Sequence, residues 1–186
     1  KGVPFDLWEQ YVTLKQDVVQ WVSIEYVVGF VVMALVLAFS AGGNMVSAVV
    51  KAIWSSLLNL VVCVCVTVEL YGFLAWAKIK LSAIPAITIW MSAAVSIEFT
   101  AHIVVAYSGA AGDTRWARVM KAFDSMFLPT MAGAISTLIG VLPLAGVDFP
   151  FIKKYYLVPY VLIVVLATVN AFILLPALLS LVGAPG

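Results

Sequence analysis

Long apolar stretches alternate with short polar segments along this chain, and the pattern predicts five membrane-spanning helices. Each stretch contains close to twenty or more mainly apolar residues, enough for an α-helix to cross the hydrocarbon core of a bilayer. Glycine, asparagine, proline and charged residues separate the stretches, as expected for turns. The predicted helices cover about residues 22–40, 50–77, 83–107, 126–146 and 156–181. The fold class expected from the pattern is therefore an all-α membrane protein.

Two further segments mix apolar and charged side chains, and we expect both to lie along the membrane surface. Residues 1–21 form one of them, with Trp21 and Tyr26 marking the start of the first spanning helix and Glu25 solvated near that boundary. Residues 113–124 form the other, because their apolar side chains recur at helical spacing on one face. The predicted division is an interfacial segment, 1–21, followed by a transmembrane bundle, 22–183.

The composition supports a membrane protein and excludes several other classes. The chain is 65% hydrophobic and 10% charged, and its mean hydropathy is +1.14, which excludes a soluble globular domain. The net charge is +1 without a run of basic residues, so nucleic acid is not an expected partner. Cys63 and Cys65 lie two residues apart on one predicted helix, so they point to different faces and cannot form a disulfide with each other.

The third predicted helix carries an acid and an imidazole well inside its apolar run. No charged residue occurs from Leu81 to Ile97, and the apolar run resumes after His102. A carboxylate near the centre of a spanning helix costs roughly 2.5 to 3.5 kcal/mol, so such an acid normally faces other helices or a wet cavity. Glu98 and His102 stand at positions i and i+4 on one face, close enough to exchange a proton or share a cation. The alternatives are a neutral, hydrogen-bonded structural acid and a core imidazole bonded to a carbonyl.

Two other polar residues form a possible secondary polar site. Glu69 lies two turns inside the end of the second helix, where a rim carboxylate paired with Lys78 or Lys80 is the alternative. Asn170 is the one strongly polar side chain of the fifth helix. An interhelical hydrogen bond accounts for this asparagine as well as a ligand contact does.

Small residues on two helices predict close packing by neighbouring helices, in the third helix beside the acid itself. The predicted packing positions are Ala94, Ser96, Gly133, Ser136 and Gly140.

An enzyme and a metal site are not expected. The Glu98-x-x-x-His102 spacing lacks the second histidine of a metalloprotease motif, and the chain has one histidine in all. A Gly-x-Ser-x-Gly nucleophile motif is also absent from the sequence. Basic residues are divided evenly between the two sets of loops, so the charge distribution does not decide the orientation in the membrane.

Several short motifs occur in an order that resembles the last five transmembrane helices of the Patched family. They include residues 8–11 (WEQY), 68–72 (VELYG), 97–102 (IEFTAH) and 133–142 (GAISTLIGVL). The resemblance covers nearly the whole chain, with the longest departure around residues 40–48. A weaker resemblance extends to Niemann-Pick type C and Dispatched proteins and to the resistance-nodulation-division superfamily.

The resemblance implies that the five helices form the C-terminal pseudo-repeat of a twelve-helix protein. Residues 1–21 would be the end of an ectodomain on the extracellular or lumenal side, and the C-terminus would be cytosolic. The expected location is the plasma membrane or an endosomal membrane. The chain would be a fragment, and its partner the N-terminal half of the same protein or a companion chain.

The resemblance also implies a function. In this family a Gly-x-x-x-Glu motif on the tenth helix is thought to couple cation movement to sterol or lipid transport. Glu98 and His102 match family positions, whereas Ala94 replaces the glycine. We therefore expect half of a cation-gradient-coupled sterol or lipid transporter or Hedgehog receptor, with no cofactor and with sterol or lipid and a monovalent cation as candidate ligands. The alternative is a sterol-binding receptor or interaction subunit without transport activity.

Overall fold

The computed structural model describes residues 3–40 and 45–184, and within these residues it contains five long helices and no strand. All five are long and apolar enough to cross a membrane. The prediction of an all-α membrane protein with five spanning helices is confirmed. The helices are α1 (Val3–Ser40), α2 (Met45–Trp76), α3 (Ala83–Gly109), α4 (Arg115–Val141) and α5 (Pro150–Val182).

The sequence predicted a surface segment, residues 1–21, followed by a separate spanning helix, residues 22–40. Helix α1 instead runs without a break from Val3 to Ser40. Glycine and proline are absent between Phe5 and Val28, so nothing in the backbone ends a helix near residue 21. The part apolar enough to span a membrane begins at Tyr11. The assignment of residues 1–21 to the end of an ectodomain remains a prediction.

Helix α4 is also continuous where the sequence predicted a surface helix followed by a separate spanning helix. It begins after Thr114, whose hydroxyl oxygen accepts a hydrogen bond of 3.2 Å from the backbone N–H of Ala117, as expected of an N-terminal cap. Pro129 lies inside the helix without ending it. A 3₁₀ turn from Leu142 to Gly146 follows α4.

Helix α5 contains two π-helical turns, which the sequence analysis did not predict. They cover Lys153–Leu157 and Asn170–Leu174. Each turn ends two residues before a proline, Pro159 or Pro176. A proline donates no backbone hydrogen bond and its ring crowds the carbonyl four residues earlier, so a widened turn at this place relieves the crowding.

Helix α3 lies at the centre of the bundle and packs against each of the other four helices. Because lipid tails are as apolar as leucine, close packing and interhelical hydrogen bonds hold such a bundle together. The approach to α1 is tight at Gly29, where an added Cβ would lie 2.7 Å from Cδ1 of Ile97. Cys63 is buried and Cys65 half-buried, and both are free thiols.

Candidate intramembrane polar site

Helix α3 places Glu98 and His102 together on its outer face. Glu98 stands near the middle of the helix, and both side chains are exposed within this chain. Four residues separate them, which corresponds to about one turn, or 6 Å along the helix axis. Ala94 stands one turn before Glu98 and is exposed as well. The acid and the imidazole therefore share one face of α3, and that face points away from the described helices of this chain. Sharing of a proton or cation by the two remains a prediction.

The opposite face of α3 is lined by hydroxyl groups that point into the bundle. Ser92, Ser96 and Thr100 are fully buried. Each hydroxyl donates to a backbone carbonyl of the preceding turn, over 2.6, 2.5 and 2.7 Å respectively. The small residues predicted to pack beside Glu98 thus lie on two faces, since Ser96 is buried and Ala94 is not. The close packing expected at the acid itself does not occur between the helices described here.

A tyrosine that the sequence analysis placed at the membrane boundary instead joins α1 to α2 near the middle of both helices. The hydroxyl of Tyr26 donates to the backbone carbonyl of Cys63 over 2.9 Å and lies 2.5 Å from the hydroxyl of Thr67. Thr67 in turn lies 3.0 Å from the hydroxyl of Ser92 on α3. This polar chain crosses three helices. This polar chain was not predictable from the sequence, because a tyrosine in an apolar run resembles a boundary aromatic residue.

Glu25, expected to be solvated, is half-buried in a groove between α1 and α3. Its Oε2 atom is buried and has no hydrogen-bond partner among the described residues. Trp21, Trp90, Met91 and Ala94 line the same groove, whose volume is about 480 Å³. A buried carboxylate oxygen left unpaired is costly, so it needs a proton, a cation or a donor from outside this groove. Ala94, which stands one turn before Glu98 on α3, also lines this groove, whereas Glu98 itself is not among its lining residues.

Glu69 and Asn170 are brought together by the fold. The Nδ2 group of Asn170 donates to Oε2 of Glu69 over 2.7 Å and to the carbonyl of Leu166 over 3.0 Å. Asn170 is buried and Glu69 half-buried. The partner of Glu69 is thus an asparagine on α5 rather than Lys78 or Lys80. A role for the pair as a second functional site remains a prediction.

The small-residue stripe of α4 faces away from the rest of the described bundle. Gly133, Ser136 and Gly140 are exposed, and an added Cβ at either glycine would meet no atom within 4 Å. The buried face of this part of α4 is formed by Thr130 and Ala134 instead. Packing of the stripe against another helix remains a prediction, and its partner is not among the described residues.

A second groove, lined mainly by α1 and α2, has a volume of about 630 Å³. Aliphatic residues cover most of its wall. Hydroxyl groups come from Ser23, Tyr26, Thr67 and Tyr71, and Lys15 adds an ammonium group. A largely apolar wall with a few polar groups is typical of sites for small apolar ligands.

Curated proteins similar to this chain carry the names that the motifs suggested. Protein patched homolog 1 of Danio rerio is 37% identical over 184 residues, 99% of this chain. Protein patched homolog 2 of Mus musculus is 36% identical over 184 residues. A human NPC1-like intracellular cholesterol transporter is 28% identical over 177 residues. The chain spans 14%, 14% and 12% of the lengths of these three relatives. No family model matches the chain.

Proposed function

This chain belongs to the Patched family, and we propose that it forms the C-terminal transmembrane half of a cation-gradient-coupled transporter of sterol or lipid, or of a Hedgehog receptor of that type. The sequence similarity to a Patched relative extends over 99% of the chain. One relative is named as a cholesterol transporter. Transport itself, its coupling and its substrate are proposals for the complete protein, of which this chain represents a part.

The observation that carries the proposal is the exposed pair Glu98 and His102 in the middle of α3. A carboxylate at this depth costs roughly 2.5 to 3.5 kcal/mol against lipid, so a membrane protein normally covers it with other helices. The helices that the structure describes do not cover it. We propose that helices of the N-terminal half, or of a companion chain, pack on this face and contribute acids opposite Glu98.

The chemistry proposed for the pair is reversible occupancy by a proton or a monovalent cation. Occupancy neutralises the Glu98 carboxylate. This lowers the free energy of one arrangement of the helices relative to another. His102 lies one turn away and can exchange a proton with that carboxylate or compete for it as a cation. A gradient across the membrane would then drive the two packings alternately, as in other transporters built from repeats.

The chain is part of a multi-pass membrane protein. We propose that the start of α1 faces the extracellular or lumenal side and the end of α5 the cytosol, in the plasma membrane or an endosomal membrane. Sterol or lipid is the proposed ligand, with a monovalent cation as the coupling ion.

The test is the substitution Glu98→Gln in the complete protein, reconstituted in vesicles with an imposed sodium, potassium or proton gradient. Loss of the titratable carboxyl should lower gradient-driven cholesterol transfer roughly tenfold or more. The matched control is Glu9→Gln, because Glu9 is exposed and precedes the apolar part of α1. Transfer by Glu98→Gln that is undiminished and still follows the gradient would remove Glu98 from the mechanism.

The groove between α1 and α2 favours a second candidate, a receptor that binds sterol without moving it. Its volume and its hydroxyl groups suit an apolar ligand with one polar group. Photo-crosslinking with a sterol probe distinguishes the two candidates. A receptor should be labelled in this groove equally with and without a cation gradient, and vesicles should show no gradient-driven transfer.

A further inference from the structure

A groove with two cationic side chains lies at the end of the bundle where α2 and α4 begin and α5 ends. Its volume is about 640 Å³. Val50, Trp54, Leu181 and Val182 form apolar walls, and Lys51 and Arg115 contribute the charges. No acidic residue is among the described residues that line it. The groove therefore combines an apolar surface with two positive charges, and no described lining residue offsets them, at the level where a membrane span ends.

Hydrogen bonds hold one wall of this groove, the end of α5, in place. The indole Nε1 of Trp54 donates to the carbonyl of Val182 over 2.6 Å. Nη1 of Arg115 donates to the carbonyl of Leu181 over 3.0 Å. The last carbonyls of a helix otherwise lack partners, so these donors from α2 and α4 stabilise the end of α5.

A buried arginine fixes the residues that follow α5. Arg118 donates to the carbonyls of Ala184 and Tyr107 over 2.8 and 3.0 Å, and the Tyr107 hydroxyl donates to Ala184 over 3.0 Å. Gly183 is buried here, and an added Cβ would collide with the Leu179 carbonyl and the Tyr107 hydroxyl. The groove is thus bordered by a backbone segment that hydrogen bonds hold in place.

Both cationic groups retain hydrogen-bonding capacity. Arg115 is exposed and uses one of its five N–H donors for Leu181. Lys51 is half-buried and lines the same groove, and its ammonium group has three N–H donors. A phosphate between the two cations would place attached acyl chains against Val50 and Leu181.

We propose that this groove binds an anionic phospholipid, with Lys51 and Arg115 holding the phosphate headgroup and the apolar walls holding the acyl chains. Basic pockets between membrane-spanning helices favour anionic headgroups for this reason. The opposite end of the bundle provides a comparison. A groove of about 550 Å³ there contains Lys153 and Lys154 together with Asp148, so an acid offsets part of its charge. The proposal depends on this charge difference and not on the proposed transport.

The experiment measures lipids retained by the complete protein in native mass spectrometry after addition of phosphatidylinositol bisphosphate, phosphatidylserine or phosphatidylcholine. The double variant Lys51→Gln with Arg115→Gln should lower the affinity for the two anionic lipids roughly fivefold for each charge removed. The affinity for phosphatidylcholine should not change. The matched control, Lys153→Gln with Lys154→Gln, removes two charges at the other end and should leave anionic-lipid binding within about twofold of the parent protein.

A second set of variants separates loss of charge from loss of structure. Lys51→Arg and Arg115→Lys keep the charges, so both should keep anionic-lipid binding even though Arg115→Lys alters the bond to Leu181. Soluble inositol phosphates, which lack acyl chains, should compete at least about tenfold more weakly than the lipid. Equal binding by the double variant and the parent, an equal loss in the control pair, or full competition by the soluble headgroup would each overturn the proposal.

Discussion

Two acids within the membrane-spanning helices, Glu69 and Glu98, have different surroundings in this fold. Glu69 receives a hydrogen bond of 2.7 Å from Asn170, a buried residue on α5. Glu98 lies on the outer face of α3 beside His102, and both are exposed within the chain. The first acid is therefore part of the packing between α2 and α5. The second faces away from the described helices, as the proposed ion site requires.

The largest stability effect should follow the loss of the partner of Glu69. Asn170→Leu leaves a half-buried carboxylate without its donor, which should reduce the free energy of unfolding by roughly 1 to 3 kcal/mol. Thermal unfolding of the complete protein in detergent measures the effect. Glu98→Gln serves as the comparison and should change stability far less.

The double variant Glu69→Leu with Asn170→Leu sharpens this result. Replacing both partners by apolar groups is often close to neutral, so most of the lost stability should return. If the double variant is as unstable as the sum of the two single ones, the Glu69–Asn170 bond does not account for the effect.

A smaller effect should come from cation binding at Glu98. A ligand that binds the folded state stabilises it by about 1.4 kcal/mol for each tenfold rise in concentration above its dissociation constant. The midpoint of thermal unfolding should therefore rise with the coupling ion, which a comparison of sodium, potassium and an organic cation at constant ionic strength identifies. Glu98→Gln should abolish the rise and Glu69→Gln should retain it. A rise that persists in Glu98→Gln would place the ion elsewhere.

The smallest effect concerns the outward-facing glycines of α4. Gly140→Ala meets no atom within 4 Å of the new Cβ, so by helix propensity alone it should stabilise by about 0.5 to 1 kcal/mol. We expect the complete protein to lose stability instead, because the proposed remaining helices pack on this stripe. Gly29→Ala is the comparison, since its Cβ would crowd Ile97 within this chain. A gain in stability for Gly140→Ala in the complete protein would show that the stripe faces lipid.

Hydropathy was sufficient to predict five spans because their apolar lengths are unambiguous, but it could not predict where the helices end. Helix α1 extends back to Val3 and α4 back to Arg115, because neither sequence contains a residue that breaks a helix at the expected boundary. A change in polarity along a chain marks a change of surroundings and not a change of backbone conformation. This is also why Glu25 and Tyr26 lie deeper than their polarity suggested.

The spacing of Glu98 and His102 was sufficient to predict that they share a face, since the helical period decides this. The direction of that face was not predictable from the period, because it depends on which side of α3 contacts the other helices. The hydroxyls of Ser92, Ser96 and Thr100 are buried, so their side of α3 faces the other helices and the side with Glu98 faces outward. The hydrogen bond between Glu69 and Asn170 joins residues 101 positions apart, and a single sequence contains no signal for such a pair.

The π-helical turn at Asn170–Leu174 has a consequence for the last segment of α5. A π turn takes in one residue more than an α turn, so every side chain after it is rotated by about 100° about the axis relative to an uninterrupted α-helix. Leu175 and Leu179 are fully buried in this rotated frame. Removing a single residue from the turn would rotate both leucines away from the bundle. It would also separate the terminal carbonyls from Trp54 and Arg115. The number of residues in this turn is therefore as tightly constrained as their identity.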